Sequence, residues 1–243
     1  MTEQIESTEQ AEDRLLELKK SVVAAVNELY EHGLITPTGG NLSIRCPDND
    51  HILITASQIW KGGLGPEHIL EVDPKGKTII AEGDTPLTLP SAPAGGRRIR
   101  PSVETGMHLG IYAARPDVGA IVHTHAPMAT VWGLYDEPVT PLTIEHIRFA
   151  EMKTVPFAAP GSRELASLTA EALPRGAAAL LRNHGLVTAG KDLREAVNVA
   201  LSLEEILGIT LLARMGKLLG LGGGEPVVIP AKAAEFLKKV LTG

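Results

Sequence analysis

The 243-residue chain is 44% hydrophobic, 21% charged and only 3% aromatic, which supplies apolar mass for one sizeable core and sets the expectation of a single domain over 1–243. Its 23 basic against 29 acidic residues give a net charge of -6, which removes the electrostatic footprint of a nucleic-acid or anionic-membrane binder. A lone cysteine, Cys46, excludes a disulfide framework and a multi-thiolate metal site; an acidic N-terminus without an apolar h-region, and no uninterrupted apolar run of about 18 residues, predict a soluble cytoplasmic protein.

Leu15, Leu18, Val22, Val26, Leu29 and Tyr30 recur at helical spacing between Ala11 and Glu31, and Gly33 supplies a stop. Thr36-Pro37-Thr38-Gly39-Gly40-Asn41 reads as a loop leading into an alternating strand, Leu42 to Arg45. A turn at Pro47-Asp48-Asn49-Asp50 precedes a second strand, His51 to Thr55, and Leu70 to Asp73 with Thr78 to Ile80 suggests a short hairpin. The Pro- and Gly-rich segment 83–101, carrying Arg97, Arg98 and Arg100, is a long connection.

A helix is expected from near Ser102, with Glu104 in its first turn, to the break at Arg115-Pro116-Asp117, followed at once by a strand, Ala120 to Thr124. Arg163 to Leu173 reads as helix, Ala177 to Leu181 as a buried strand, and Leu186 to Thr188 as a further extended stretch. Asp192 with Glu195 three residues later forms a capping-box signature for a long helix reaching about Leu219. Gly222-Gly223-Gly224 then links to a short closing helix, Ala231 to Leu241, so that 222–243 is a C-terminal extension. Strands near both ends without regular βαβ alternation predict one mixed sheet flanked by helices. No glycine segment matches a Walker loop or a dinucleotide fingerprint.

Strand alternation puts His123 and His125 of Ile121-Val122-His123-Thr124-His125 on one face, about 7 Å apart at Cα, where two imidazoles can meet one ion. On that spacing alone, a metal site and a pair of satisfied histidines are equally good readings. His184, between a buried strand and Gly185, is a natural third ligand at a strand end, and Glu104 offers a carboxylate oriented by a helix start. His108 shares the face of Glu104 four residues on and suits a supporting, core or surface role alike. His32, His51 and His68 read as solvent-facing, whereas Glu145, His146 and Arg148 could line a cleft. No Gly-x-Ser-x-Gly elbow is present and consecutive Glu204 and Glu205 diverge on a helix, so a serine triad and a paired-carboxylate mechanism drop out.

Taken together, Gly40-Asn41-Leu42-Ser43-Ile44-Arg45, Pro101-Ser102-Val103-Glu104, the block from Arg115-Pro116-Asp117 to His123-Thr124-His125, Gly161-Ser162-Arg163-Glu164-Leu165 and Leu181-Arg182-Asn183-His184-Gly185-Leu186 resemble the class II aldolase/adducin family. The resemblance spans roughly residues 15 to 215. It implies an α/β fold, a three-layer α/β/α sandwich around a mixed, largely antiparallel sheet, and a homotetramer with sites between adjacent subunits. It further implies Zn²⁺, or another divalent ion, on His123, His125 and His184, with Glu104 as a metal-side carboxylate and acid/base. A sugar phosphate would be held near Thr38, Gly39, Asn41, Ser57 and Ser102.

The implied reaction is retro-aldol cleavage of a ketose, with the ion stabilising the enediolate left when the C–C bond breaks. Two departures from the family pattern bear on this. Ser57-Gln58 stands where the aldolases have Thr-Gly, and Ser102-Val103 where they have two serines, so one hydroxyl donor is missing and Arg97, Arg98 or Arg100 could supply charge instead. Tyr30, Tyr112 and Tyr135 do not fall where the aldolases carry proton-donating tyrosines, which leaves His146, water or a group of another subunit as the acid. Decarboxylation of a keto or hydroxy acid is the main alternative. A 4-epimerase, which would carry Asp at 104, and an adducin-like assembly module, which would have lost the histidines, come after it.

Overall fold

Side-chain alternation along the strands sorts the protein into layers. In β1 (Asn41–Arg45), Leu42 and Ile44 enter one core while Ser43 faces the other; in β2 (Ile52–Thr55), Leu53 joins the first core, and Ile52 and Ile54 the second. The computed structural model describes residues 2–79, 98–135, 137–221 and 224–242.

Among the described residues, seven strands form one sheet in the order β3-β2-β1-β4-β7-β6-β5, completed by β3 (Ile69–Val72), β4 (Ala120–Thr124), β5 (Lys153–Val155), β6 (Ala178–Leu181) and β7 (Gly185–Gly190). Every pairing is antiparallel except β5 with β6, so the sheet is mixed as expected. The first core is closed by α1 (Thr2–Glu31), through Val22, Val26 and Leu29, by α3 (Pro127–Trp132) and by α5 (Leu193–Leu218). The second is closed by α2 (Thr105–Ala114) and α4 (Arg163–Ala172), through Met107, Ile111 and Leu165. Each fully buried aliphatic side chain of this kind contributes about 1.5–3 kcal/mol, so the three layers are held chiefly by these two apolar seams.

Several sequence expectations are adjusted. Helix α1 begins at Thr2 rather than Ala11, because its opening turns carry no apolar face to announce them. Neither α3, a single apolar turn and a half opened by Pro127, nor the three-residue β5 has enough length for a periodic signal. The second arm of the 70–80 hairpin is reduced to one bridge, Val72 to Thr78. Helix α2 starts after Glu104, which is its N-cap residue. Asp192 does cap α5, accepting from the Glu195 amide at 2.8 Å, but the Glu195 carboxylate reaches the amide of Lys191 instead of closing the box on Asp192. Residues 80–97, with Arg97 and most of the 83–101 connection, and Gly222-Gly223 lie outside the described residues. Closing helix α6 (Ala231–Thr242) is present. Helix α5 is long and apolar enough to cross a membrane by length and composition, yet Ala196, Ala200, Leu203 and Leu207 are buried in the first core.

Candidate metal centre

The register of the central strands assembles the centre. Asn41 on β1 lies directly opposite His123 on β4, and His123 opposite Val187 on β7, so Asn41 and His123 share the α2/α4 face of the sheet. His125 follows two residues later on the same side. His184 arrives from the tight β6–β7 turn, where Asn183 adopts a left-handed backbone (φ 57°) and Gly185 passes so close to the Thr124 carbonyl that a Cβ would overlap it. Adjacent pairing of β4, β7 and β6 therefore brings together histidines some sixty positions apart in sequence.

His123, His125 and His184 each present a ring nitrogen, and these atoms lie within 4.8 Å of one another; among the described residues they are the one such group of His, Cys, Asp or Glu. Ring centroids stand 4.7 to 5.2 Å apart with the planes tilted, so the rings point at a common position instead of stacking. His123 Nδ1 donates to the Leu186 carbonyl at 2.9 Å, which fixes the tautomer and leaves Nε2 as a lone pair. That Nε2 faces His125 Nε2 at 3.2 Å, and ligands around a tetrahedral zinc stand about 3.3 Å apart.

Glu104 completes the set from the N-terminus of α2. Its Oε2 lies 3.2 Å from His123 Nε2 and its Oε1 3.5 Å from His184 Nε2, and the carboxylate is almost wholly buried. Oε1 of Glu104 and Nδ1 of His184 have no hydrogen-bond partner. Converging imidazole lone pairs beside an orphaned carboxylate oxygen fit a cation, and the donor set of three nitrogens plus one oxygen suits zinc or a neighbouring divalent ion.

Electrostatics run the same way. Burial opposes ionisation of Glu104, but the positive charge that His123 and His184 carry whenever they are protonated, and the hydrogen bond from the Asn41 amide, outweigh it and hold the carboxyl well below the usual carboxylate range. Burial, then the charges of His123 and His184, push His125 down to about 4. Burial and His123 also lower His184. Both imidazoles are therefore unprotonated, and available as ligands, at neutral pH.

The loops expected to hold substrate are distributed around this cluster. Gly39 packs against His125, where a Cβ would fall 2.6 Å from Nδ1, and the loop is tied to Lys61 through its amide on the Pro37 carbonyl at 2.8 Å. Ser57 and Ser102 are brought together by the Ala56–Pro101 bridge, with the Ser57 amide on the Arg100 carbonyl and the Ser102 amide on that of Thr55. Ser102 Oγ accepts from the Glu104 amide at 3.2 Å, and Thr38 is exposed. Asn41 donates from Nδ2 to Glu104 Oε2 at 2.9 Å.

Other histidines are placed more plainly. His146 is fully buried, with Nδ1 accepting from Thr143 and Nε2 bonded to Thr210 Oγ1, so it is a core residue and not a cleft residue. His51, paired with Glu71, and His68, accepting from the Gly65 amide, are partly buried instead of solvent-facing. The sequence left His108 open between a supporting, a core and a surface role; it is joined to the centre through Asn41, and the i, i+4, i+8 spacing of Glu104, His108 and Tyr112 against the i, i+2 spacing of Asn41 and Ser43 was the available signal.

Residues 20–211 match the family model described as Class II Aldolase and Adducin N-terminal domain. The chain belongs to the class II aldolase/adducin family. Within it, the chain is 31% identical over 221 residues to the 5-methylthioribulose-1-phosphate/5-deoxyribulose-1-phosphate aldolase of Rhodospirillum rubrum, covering 90% of this chain and 88% of that protein. It is also 31% identical over 195 residues to the 3-oxo-tetronate 4-phosphate decarboxylase of Haemophilus influenzae, covering 77% and 83%. Among solved structures, an L-fuculose 1-phosphate aldolase superposes with a TM-score of 0.75 at 28% identity, covering 93% of this chain and 97% of its own. The protein is thus an enzyme of the class II aldolase type, a family with aldolase and decarboxylase branches.

Proposed function

We propose that the protein is a zinc-dependent lyase that breaks a C–C bond of a ketose 1-phosphate in the retro-aldol sense. The observation that carries this reading is the meeting of three imidazole nitrogens with a buried, ionised Glu104 whose Oε1 is unbonded. A divalent ion held by His123, His125 and His184 supplies Lewis acidity against the negative charge that develops on the substrate's carbonyl and hydroxyl oxygens.

The chain's own groups do the rest. Glu104, kept ionised, takes up the proton that the substrate's carbinol hydroxyl releases as the C–C bond breaks and gives one to the carbon that lost that bond, a transfer that needs an unengaged oxygen such as Oε1. Thr38, Gly39, Asn41, Ser57 and Ser102 hold the phosphate end, with the Ser102 hydroxyl hydrogen still free to donate while its oxygen accepts from the Glu104 amide. With both ring nitrogens of His146 engaged in the core, any relay of the departing fragment's hydroxyl proton to Glu104 runs through water or a group of a neighbouring subunit. The same reading makes the protein a cytoplasmic homotetramer with intersubunit sites and a small sugar-phosphate substrate, and without nucleic-acid or membrane partners, in keeping with its net charge of -6.

Decarboxylation is the second reading, favoured by the similarity to the Haemophilus influenzae decarboxylase and by the lack of the aldolases' tyrosines. Loss of CO2 from a keto acid phosphate needs the same charge stabilisation but no group to relay the hydroxyl proton that a departing aldehyde releases. A screen of the zinc-loaded protein against ketose 1-phosphates and keto acid phosphates, scoring aldehyde against CO2 release, separates the two. CO2 release alone overturns the aldolase assignment.

A further inference from the structure

Behind Glu104 runs a continuous buried line of side chains between β1 and α2. Asn41 Nδ2 meets Glu104 Oε2 at 2.9 Å, His108 Nε2 meets Asn41 Oδ1 at 2.6 Å, Ser43 Oγ meets His108 Nδ1 at 2.6 Å, and Tyr112 OH meets Ser43 Oγ at 2.9 Å. Every member is less than 5% exposed. Water cannot replace a missing partner here, so each link must be proton-consistent.

That condition fixes the direction of all four bonds. An ionised carboxylate only accepts, so the Asn41 amide nitrogen points at Glu104 and its carbonyl oxygen at His108. The carbonyl only accepts, so His108 carries its hydrogen on Nε2. Fully buried between the uncharged Asn41 and Ser43 side chains, the ring is neutral, with Nδ1 an acceptor. The Ser43 hydroxyl therefore donates to Nδ1 and accepts from Tyr112, whose phenol burial holds protonated. Reversing any one bond would set two donors or two acceptors against each other in the core.

We infer that His108 is a positioning residue: locked in the Nε2–H form between Ser43 and Asn41, it fixes the Asn41 amide and thereby pins Glu104 Oε2, leaving Oε1 as the oxygen without a hydrogen-bond partner. The groups that face it are Asn41 and Ser43 from β1, His123 from β4, and Glu104 and Tyr112 from its own helix. The division of labour between the two carboxylate oxygens follows. One is anchored in the fold and the other is left for the moving proton, so this inference rests on the acid/base reading of Glu104.

Long-range ¹H–¹⁵N spectra of metal-free, ¹⁵N-histidine-labelled full-length protein at neutral pH test the chain directly. His108 is expected as a neutral Nε2–H tautomer; an Nδ1–H tautomer or a protonated ring overturns the inference. No substrate is involved, so a failed substrate screen leaves this result standing, and no variant has to fold. In turnover, His108→Leu removes the link and should lower kcat about 100-fold with KM changed much less, the scale expected when a reacting group is misplaced by about 1 Å. His108→Gln, whose amide offers one donor and one acceptor, should recover activity to within about tenfold of wild type. A folded His108→Leu protein with wild-type kcat overturns the positioning role.

Discussion

His123 Nε2 and His125 Nε2 lie 3.2 Å apart, and because His123 Nδ1 already donates to the Leu186 carbonyl, neutral His123 has no hydrogen to place between them. A hydrogen between them must therefore come from His125 Nε2, and a shared cation would take the place of that hydrogen. His123→Ala should therefore lower zinc affinity by at least about 100-fold while far-UV circular dichroism stays that of the wild type. Competition against a chromophoric chelator measures it, and unchanged affinity would contradict the ligand assignment.

Glu104→Gln keeps the shape of the side chain and removes its basicity. Exchange of the substrate's carbon-bound hydrogen with deuterated solvent should slow by roughly 10²- to 10⁴-fold, the usual range for a lost acid/base group. Exchange at the wild-type rate sinks the base role, even if overall turnover falls.

The pH dependence has a defined sign. His108, His125 and His184 are all depressed in the folded protein, to about 3 for His108 and about 4 for His125, whereas the unfolded chain protonates its imidazoles near their ordinary value. Unfolded protein thus binds more protons below about pH 6.5, and apo-protein stability should fall as pH drops from there toward 3, by up to about 1.4 kcal/mol per pH unit for each such histidine. Glu104 adds loss in the same direction, because its own depressed carboxyl stabilises the fold above the ordinary carboxylate range and ceases to do so as acid protonates it. Chemical denaturation of metal-free protein between pH 7 and 4 checks this; a flat profile would refute neutral buried imidazoles.

Gly185 stands where a Cβ would run into the Thr124 carbonyl, so Gly185→Ala must part β4 from β7 at the turn that delivers His184. A loss of about 1–3 kcal/mol in stability is expected from such overpacking, with weakened metal binding beside it. Wild-type melting and zinc affinity together would show that the close approach is not obligatory.

How much of this could be read from the sequence depends on the range of the signal. β1, β4 and α5 were visible because their patterns are local: alternation at Leu42 to Arg45 and at Ala120 to Thr124, and the Asp192 cap. The His123/His125 pair shared a face by the same rule. Whether His184 joined them was not written in any window of sequence, since it depends on β7 pairing between β4 and β6. The link from Glu104 to Tyr112 was half legible: α2 showed its i, i+4 spacing, but only the docking of that helix on β1 reveals that Asn41 and Ser43 interleave with His108. Helix α3 and strand β5 are too short to carry periodicity at all.

The two-sided sheet also sets a rule for how this protein tolerates length changes. Between Ala120 and His123 successive side chains go to opposite layers, so removing or adding a single residue there would turn the imidazole toward the α5 side and bring Val122 or Thr124 into its place. Substitutions along β4 are graded injuries, whereas a one-codon insertion or deletion would turn the reaction centre inside out.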